Sequence, residues 1–290
     1  MKKFTVEVVI PNYNGLFLLK KHLPEVIAFS GKDAHIIVVD DGSTDGTPEY
    51  LKKEYPKILC LHNPTNLGFT KSVNLGFASS RSDLVVLINN DVAPQKGYIA
   101  ESLKHFENDK VFAVTFNEST SSWPLVSWRG KLQYVRGEDK QESRFSAWAS
   151  GGSAIFRKSI WEGLGGFDEI YSPGYWEDID IGWRSWKAGY QIIWEPKAKV
   201  IHQHESTFNL LDPNYLNLIK QRNELIFNWK NITDSDLRRD HFSFLLRHVL
   251  THPCYLKIVL AALMTYPKIK KSKDILTDSR VLALVNQPLI

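Results

Sequence analysis

The sequence is poor in cysteine, with only Cys60 and Cys254 among 290 residues. They lie far apart and in no metal-ligand spacing, which excludes a cysteine metal site and favours free thiols in a reducing compartment. Long hydrophobic runs are also missing. The longest, 254–266, is interrupted by Lys257 and falls short of the ~20 apolar residues that span a bilayer. The apolar run 8–10 is too short for a signal peptide, so we expect a cytoplasmic protein.

A strong charge of one sign is missing from most of the chain. The net charge is +4, yet twelve basic and seven acidic residues after position 210 leave a net charge of −1 for the first 210 residues. No basic-aromatic stripe or nucleic-acid-binding module accompanies the basic excess, so we expect no nucleic acid partner. An anionic membrane surface fits the excess better, which would place the protein at the inner face of the cell membrane.

Short apolar runs alternate with amphipathic stretches up to about residue 115, and this succession predicts strands separated by helices. The predicted strands are residues 6–10, 36–39, 58–61 and 84–88. One intervening helix would begin with Thr47 as its N-cap and Pro48 at its first position. This βαβαβ order predicts an α/β fold whose parallel sheet is covered by helices on both faces.

The rest of the chain has a different pattern. Eight of the nine tryptophans lie between Trp123 and Trp194, which fits an aromatic core for most of them and a sugar-binding cleft for a few. Further along the chain, the predicted helices are 215–229 and 242–264, the second broken at His252-Pro253. We therefore divide the chain into a domain at 1–210 and a C-terminal helical extension at 211–290.

Polar residues follow the predicted strands, and in open α/β sheets the carboxyl ends of the strands form a ligand-binding crevice. The strand at 36–39 runs into Asp40, Asp41 and a segment of Gly, Ser, Thr and Asp. A phosphate cradle would have glycines and a lysine instead of two carboxylates. We expect Asp41 to accept a hydrogen bond from a base or a ribose, while Asp40 and Asp45 shape the turn. Tyr13, in the turn after the first strand, would face a planar base.

Two further strand ends carry polar clusters. On the helix that follows Asn66 and Gly68, Lys71 would reach a base or a phosphate. The alternative is that Asn66 or Thr70 caps this helix. The sequence Asn89-Asn90-Asp91 offers oxygen ligands to Mg²⁺ or Mn²⁺, which would neutralise a departing diphosphate. Taken alone, these three residues are more typical of a simple turn than of a metal site.

A third cluster combines Trp176 with three acids, Glu177, Asp178 and Asp180, ahead of a predicted helix. The helix dipole explains acids in a first turn, but a carboxylate flanked by aromatic rings in a cleft is also typical of a general base. Further along, His202 and His204 lie on the same side of an extended segment. One imidazole from this pair would complete the shell of the cation.

In this order, the motifs resemble those of family 2 glycosyltransferases, most closely the rhamnosyltransferase-like bacterial members. They are Pro11-Asn12-Tyr13-Asn14, Asp40-Asp41-Gly42-Ser43-Thr44-Asp45, Asn66-x-Gly68, Asn90-Asp91 and Glu177-Asp178, followed by His202. The resemblance covers residues 4–205. It implies the GT-A fold, a Rossmann-like mixed sheet flanked by helices. It also implies an inverting transfer of a sugar from a nucleotide-diphosphate donor to an acceptor hydroxyl.

The resemblance further implies the partners. The donor would be a UDP-, dTDP- or GDP-linked sugar, and the acceptor a saccharide or a lipid-linked saccharide. Mg²⁺ or Mn²⁺ would be the cofactor. The pathway would be the synthesis of bacterial cell-surface polysaccharide or glycolipid.

Roles for individual residues follow from the same resemblance. The implied nucleotide-binding residues are Pro11, Tyr13, Asp41, Gly68, Lys71 and Asn90. Asp91 would be the direct metal ligand, with His202 contributing to the metal site. Asp178 would be the catalytic base, and Glu177 would orient it or bind the acceptor. The residues near the donor or acceptor sugar would be Gly151, Gly152 and Trp176.

One position departs from the family pattern. Where the family often has Asp-x-Asp, this chain has Asn89-x-Asp91, so a single carboxylate would hold the cation and the diphosphate would supply much of the coordination. Two other functions stay open. A sugar nucleotidyltransferase would have a Gly-rich, Arg-containing loop where this chain has residues 11–15. A non-catalytic sugar-nucleotide-binding protein would have little use for Asp178.

The C-terminal helices carry a pattern of their own. Apolar residues recur at helical spacing between Phe242 and Leu250, and four lysines follow between 268 and 273. Three interpretations fit: a helical cap packed on the catalytic domain, a contact between the copies of a homodimer, or attachment to a membrane that carries a lipid-linked acceptor.

Overall fold

A nine-stranded mixed sheet forms the centre of the molecule. The structure is a computed structural model that describes residues 3–31, 34–118, 123–137, 141–203, 212–269 and 274–289. Its strands are β1 (Val6–Asn12), β2 (His35–Asp40), β3 (Leu59–His62), β4 (Leu84–Ile88), β5 (Val92–Pro94), β6 (Val111–Glu118), β7 (Pro124–Trp128), β8 (Leu132–Arg136), β9 (Arg144–Phe145), β10 (Ser153–Arg157) and β11 (Gln191–His202). All of them except β7 and β8 belong to the central sheet.

The first half of the sheet is parallel. Strands β3, β2, β1 and β4 are neighbours in that order, as the βαβαβ pattern predicts. The second half is mixed, because β10 lies antiparallel between β4 and β6, and β11 then runs parallel to β6 and antiparallel to β5 and β9. Strands β7 and β8 form a separate antiparallel hairpin. The predicted mixed α/β sheet is confirmed.

Helices cover both faces of this sheet. They are α1 (Leu16–Ser30), α2 (Thr47–Glu54), α3 (Phe69–Ser79), α4 (Tyr98–Leu103), α5 (Lys158–Leu164), α6 (Glu177–Lys187), α7 (Pro213–Asn231), α8 (Ser235–Thr251), α9 (Leu256–Thr265) and α10 (Asp278–Val285). Alternate residues of β1 enter the two cores: Val9 packs beneath α3, whereas Val8 and Ile10 pack on the side of α1. A Cβ at Gly76 of α3 would lie 2.4 Å from Cγ1 of Val9, so glycine lets this helix rest directly on the strand.

The helices that follow residue 212 share their core with the rest of the chain. The ring of Phe227 on α7 lies 5.2 Å from Trp176 and 6.0 Å from Trp183, which begin and line α6. Burying such rings stabilises the fold by roughly 1.5–3 kcal/mol each. The division at residue 210 stays a prediction, because residues 204–211 lie outside the described part of the chain.

Two helix starts differ from the sequence prediction. The N-cap of α2 is Gly46, in the left-handed region at φ 83°, and not Thr47, whose hydroxyl instead donates to Asp45 Oδ1. Helix α3 begins at Phe69, and its N-cap, Gly68, has no side chain to offer, so neither Asn66 nor Thr70 caps it. At both helix starts the N-cap has a positive φ, a conformation that glycine adopts readily.

The predicted break at His252-Pro253 is confirmed, although α8 begins earlier than expected, at Ser235. No single helix among the described residues is long and apolar enough to cross a membrane. Helix α8 and the segment Pro253–Lys268 meet that criterion only as a pair, with a bend of 120° between them.

Candidate active site

A cavity of about 650 Å³ opens at the carboxyl ends of β1, β2 and β4, and we call it the main cavity. Eleven of the residues singled out from the sequence line it: Pro11, Tyr13, Asp41, Gly68, Asn90, Asp91, Gly151, Gly152, Glu177, Asp178 and His202. The structure therefore brings together positions that are up to 191 residues apart in sequence. A volume of this size accommodates a ligand larger than a single sugar.

Two of the predicted residues do not line the main cavity. Lys71 lies half-exposed, with its Nζ 3.7 Å from a carboxylate oxygen of Glu169. Trp176 is buried in the core, where it packs on Phe227. Both assignments stay predictions, because neither side chain is among those that line the main cavity.

The end of β2 uses its two carboxylates differently. Asp41 faces the main cavity and accepts hydrogen bonds from Asn63 Nδ2 at 2.8 Å and from the backbone N–H groups of Leu67 at 2.9 Å and Gly68 at 2.8 Å. It thereby fixes the loop that borders the cavity. A Cβ at Gly42 would lie 2.6 Å from the backbone of Thr65, so only glycine lets this loop approach.

Asp40 is fully buried and serves the neighbouring turn. It accepts hydrogen bonds from Asn12 Nδ2 at 3.2 Å and from the N–H of Ser43 at 3.2 Å, and it lies 2.8 Å from His62 Nδ1. Asp45 accepts from the N–H of Leu16 at 2.8 Å, which joins this turn to the start of α1. These contacts agree with the turn-shaping roles expected for the two acids.

The end of β4 places a buried carboxylate opposite a histidine. Asp91 is 1 % exposed, and its Oδ1 lies 3.2 Å from His202 Nε2. On the other side of the ring, His202 Nδ1 lies 3.4 Å from Glu118. Burial alone would lower the pKa of His202, but its hydrogen bonds with Asp91 and Glu118 raise that pKa to about 9. The two carboxylates therefore favour the protonated form of the ring, which would give up its proton on binding a cation.

Sequence reasoning missed Glu118. It is the last residue of β6, so an acid at the end of an apolar strand was the available signal. Its Oε1 accepts hydrogen bonds from Ser153 Oγ at 2.5 Å and from Ser150 Oγ at 3.3 Å. His204 lies outside the described residues, so the predicted pairing of the two histidines has no structural counterpart here.

Asp91, His202 and Asn89 present atoms of the kind that bind a divalent cation. Neither oxygen of the buried Asp91 carboxylate accepts a hydrogen bond from any described residue apart from its contact with His202. The Asn89 Oδ1 is also buried without such a partner. However, no three His, Cys, Asp or Glu side chains among the described residues are arranged to hold a metal by themselves. The donor set fits a hard cation that takes its remaining ligands from a bound diphosphate.

The opposite wall of the main cavity is the N-terminus of α6. Asp178 Oδ2 accepts a hydrogen bond from the N–H of Gly151 at 3.2 Å, and its Oδ1 accepts one from the N–H of Ile179 at 2.8 Å. Burial raises the pKa of Asp178, although these backbone hydrogen bonds lower it in part. A fixed carboxylate whose affinity for a proton is increased is suited to general-base catalysis.

Glu177, the neighbouring acid, is in a different state. It is 7 % exposed, and burial together with the charge of Asp178 raises its pKa to about 8. Its Oε2 has no hydrogen-bond partner among the described residues. These surroundings favour the protonated form of Glu177, which is able to donate one hydrogen bond.

The turn Gly151-Gly152 lies between the two acidic ends. A Cβ at Gly152 would lie 2.3 Å from Asn89 Nδ2, and one at Gly151 would lie 3.3 Å from the Cβ of Asp178. The carbonyl of Gly152 also accepts a hydrogen bond from the N–H of Asn89 at 2.9 Å. A side chain at Gly152 would therefore displace the Asn89 amide, and one at Gly151 would press on Asp178.

A buried ionic network holds α6 in place. Asp180 is fully buried and lies 2.7 Å from Arg184 Nε and 2.8 Å from Lys230 Nζ, and it accepts a hydrogen bond from Asn231 Nδ2 at 2.8 Å. Burial alone would raise the pKa of Asp180, but Arg184 and Lys230 hold it well below the usual value. Sequence reasoning missed this network, since Lys230 is fifty residues away.

A mixed sheet with a ligand cavity at its strand ends is the architecture of the GT-A fold. The family described as Glycosyl transferase family 2 matches residues 7–164, more than half of the chain, and the protein belongs to that family. It is similar to the N-acetylglucosaminyl-diphospho-decaprenol L-rhamnosyltransferase of Mycobacterium tuberculosis (strain ATCC 25618 / H37Rv). The two are 26 % identical over 243 residues, which cover 71 % of this chain and 78 % of the relative.

Solved structures show the same fold. GalNAc-T7, crystallised with UDP, GalNAc and Mn²⁺, superposes with a TM-score of 0.65 at 16 % identity, over 80 % of this chain and 48 % of that one. The mannosyltransferase PcManGT of Pyrobaculum calidifontis, in complex with GDP-Man and Mn²⁺, gives a TM-score of 0.58 at 17 % identity, over 92 % of this chain and 75 % of that one. This chain therefore spans about half the length of GalNAc-T7.

Proposed function

We propose that the protein is an inverting glycosyltransferase that moves a sugar from a nucleotide-diphosphate donor to an acceptor hydroxyl. One observation carries the proposal: Asp178, a buried carboxylate with an increased affinity for a proton, lines the same cavity as Asp91 and the strand-end residues Pro11, Tyr13 and Asp41. In this arrangement the strand ends hold the nucleotide and Asp178 serves the acceptor. The base of the nucleotide lies against Pro11 and Tyr13.

The chemistry follows from these positions. Asp178 accepts the proton of the acceptor hydroxyl, and the hydroxyl oxygen forms a bond to the anomeric carbon of the donor sugar. The hydroxyl attacks on the face of the sugar opposite the diphosphate. The bond between the anomeric carbon and the diphosphate oxygen breaks, so the nucleoside diphosphate leaves and the configuration at that carbon inverts. The N–H groups of Gly151 and Ile179 hold the carboxylate of Asp178 in one orientation throughout.

Asp91, His202 and the amide oxygen of Asn89 would hold a divalent cation, Mg²⁺ or Mn²⁺, together with the diphosphate. When bound, the cation neutralises the negative charge that develops on the leaving diphosphate. The two structural neighbours, both solved with Mn²⁺, support this part of the proposal. Since Asn89 replaces a carboxylate of the Asp-x-Asp motif, the diphosphate contributes a larger share of the ligands than in that motif.

The replacement of Asp178 by Asn tests the proposed function. The variant keeps the shape of the side chain but removes the base, so transfer falls by a factor of about 10²–10⁴, the range general-base catalysis supplies. Nucleotide affinity, measured by titration calorimetry with UDP, dTDP and GDP, stays unchanged. The exposed Asp236→Asn variant is the matched control and keeps full transfer. Turnover by Asp178→Asn equal to that of the control would overturn the assignment.

We also propose that the acceptor is lipid-linked and that the protein acts at a membrane surface in the synthesis of a cell-surface polysaccharide or glycolipid. The similar rhamnosyltransferase, whose name specifies a decaprenol-linked substrate, supports this proposal. Residues 241–273 also contain six basic residues and no acidic ones, and α8 exposes Phe242, Leu246 and Leu250 along one side. An apolar face with basic residues around it is typical of helices that bind anionic lipids.

A further inference from the structure

Asp178 lines a second, smaller cavity in addition to the main cavity. This hairpin cavity has a volume of about 260 Å³, and its walls come from the end of β6, the hairpin β7–β8 and residues 148–150. Asp178 and Ser150 line both cavities, so the two spaces meet at the carboxylate that serves as the base. A second molecule that occupies the hairpin cavity therefore reaches Asp178 without entering the strand-end crevice.

An aromatic pair forms the most unusual wall of the hairpin cavity. The ring of Tyr134 lies 5.0 Å from that of Trp148, edge to face at 84°, and yet Tyr134 is 54 % exposed. Neither side chain belongs to the fully buried core. The exposed ring of Tyr134, beside the proposed base, suits the apolar C–H face of a pyranose, which packs on aromatic rings while its hydroxyls stay free to bond.

Charge adds a second element of recognition. Arg136, at the end of β8, lines the hairpin cavity together with Tyr134. A guanidinium group matches the geometry of a phosphate and binds it through two parallel hydrogen bonds. The same wall therefore presents a stacking surface for a sugar and a cationic group for an anion.

The hairpin is held in place by α8. Trp128 Nε1 and the N–H of Gly130 donate to Asp240 Oδ2 at 2.8 and 2.9 Å, and His241 Nδ1 bonds to the carbonyl of Gly130 at 2.7 Å. A Cβ at Gly130 would lie 2.4 Å from the Cβ of Phe244. The cavity wall is therefore fixed to α8, the helix that also carries the exposed apolar face. A lipid attached to a molecule in the cavity could pack on that face.

We infer that the hairpin cavity is the acceptor site and that it takes a pyranose linked to a phosphate group. The sugar ring stacks on Tyr134 and Trp148, its reacting hydroxyl meets Asp178, and the phosphate pairs with Arg136. This inference rests on the proposed function and names the class of acceptor: a sugar phosphate, either free or as the head group of a lipid. The site recognises the same sugar and phosphate groups in the free and in the lipid-linked molecule.

Binding of defined probes tests the inference. Methyl glycosides and the 1-phosphates of glucose, galactose and N-acetylglucosamine are titrated by saturation-transfer NMR. Mg²⁺ and saturating nucleoside diphosphate occupy the main cavity throughout. The matched variants are Tyr134→Ala and Tyr266→Ala, because Tyr266 is 49 % exposed and rests edge to face on Trp229 at 6.1 Å, outside both cavities.

We expect at least one sugar 1-phosphate to bind the unmodified protein. Tyr134→Ala raises its Kd about tenfold, equivalent to ~1.4 kcal/mol, whereas Tyr266→Ala leaves it unchanged. Arg136→Gln reduces the affinity for the 1-phosphate to that for the methyl glycoside and does not change the latter. A farnesyl-diphosphate-linked sugar, compared with the free 1-phosphate, distinguishes the lipid from the soluble source.

Two results would overturn the inference: no probe binds the unmodified protein, or Tyr134→Ala binds probes as Tyr266→Ala does. An unaffected 1-phosphate affinity in Arg136→Gln would remove the phosphate from the acceptor class. Nucleoside diphosphate binding is measured first on the same samples. If it is absent, the proposed function itself fails; if it is present while Tyr134 has no effect, only the acceptor site is wrong.

Discussion

Two adjacent acids on α6 show how strongly local surroundings determine a role. Asp178 receives two backbone N–H hydrogen bonds, which favour its charged form, whereas Glu177 Oε2 receives none from the described residues. Burial raises the pKa of both, and that of Glu177 reaches about 8 because the charge of Asp178 adds to the effect. These surroundings therefore favour a single negative charge on the pair, carried by Asp178, the proposed base.

The raised pKa of Glu177 predicts a pH-dependent gain in stability for Glu177→Gln. The unfolded chain loses this proton near pH 4.5, while the folded protein keeps it up to about pH 8, so stability falls as pH rises between these values. Glutamine does not titrate, so the variant does not lose this stability. The difference in Tm between the variant and the wild type is therefore a few degrees larger at about pH 7.5 than at about pH 4.5. Thermal unfolding across this range measures the gain. The exposed Glu107→Gln variant serves as the control, and an equal trend in it would contradict the explanation.

Among the secondary-structure features, the ends of the strands are those that the sequence predicts best. Asp41 and Asp91 follow runs of β-branched and aliphatic residues, and such runs predict buried strands whose carboxyl ends meet. The antiparallel strand β10 and the residue Glu118 were not predicted, because a short apolar run does not reveal which neighbour it pairs with. The network around Asp180 was not predicted for a related reason, because nothing in the local sequence indicates that Lys230, on another helix, contacts α6.

That network predicts a characteristic acid response at the level of α6. The pKa of Asp180 is held far below the unfolded value, so its contribution to stability is complete above about pH 4 and is lost as pH falls further. Asp180→Asn therefore destabilises the protein by about 3–5 kcal/mol at neutral pH, since it leaves Arg184 and Lys230 buried without their carboxylate. The difference from wild type shrinks towards pH 3. Urea unfolding at a series of pH values measures it, and a difference independent of pH would contradict the role of the charge.

At the scale of the whole molecule, the hydrophobic core joins the C-terminal helices to the catalytic part, so these helices present one face inward and another to the surroundings. Leu245 of α8 is buried, while Leu246 and Leu250 are 63 % and 71 % exposed. Sequence periodicity indicated an apolar helix but not which of its leucines would stay uncovered, because that depends on where the hairpin β7–β8 and α7 pack. On α9, Met264 is also exposed, at 82 %.

This exposed face predicts selective binding to anionic vesicles. The full-length protein co-sediments with vesicles that contain phosphatidylglycerol and not with pure phosphatidylcholine vesicles, and high salt weakens the binding because the basic residues of 241–273 contribute to it. The double variant Leu246→Gln/Leu250→Gln lowers the partition coefficient at least about tenfold, since burying each leucine in lipid is worth ~1.5–3 kcal/mol. The control variant Leu59→Gln/Leu75→Gln, which changes leucines exposed elsewhere, binds like the wild type. The proposed membrane contact is wrong if neither the variants nor the vesicle composition alters sedimentation. If light scattering then shows a dimer that Leu246→Gln/Leu250→Gln dissociates, the exposed face is a contact between two copies of the chain.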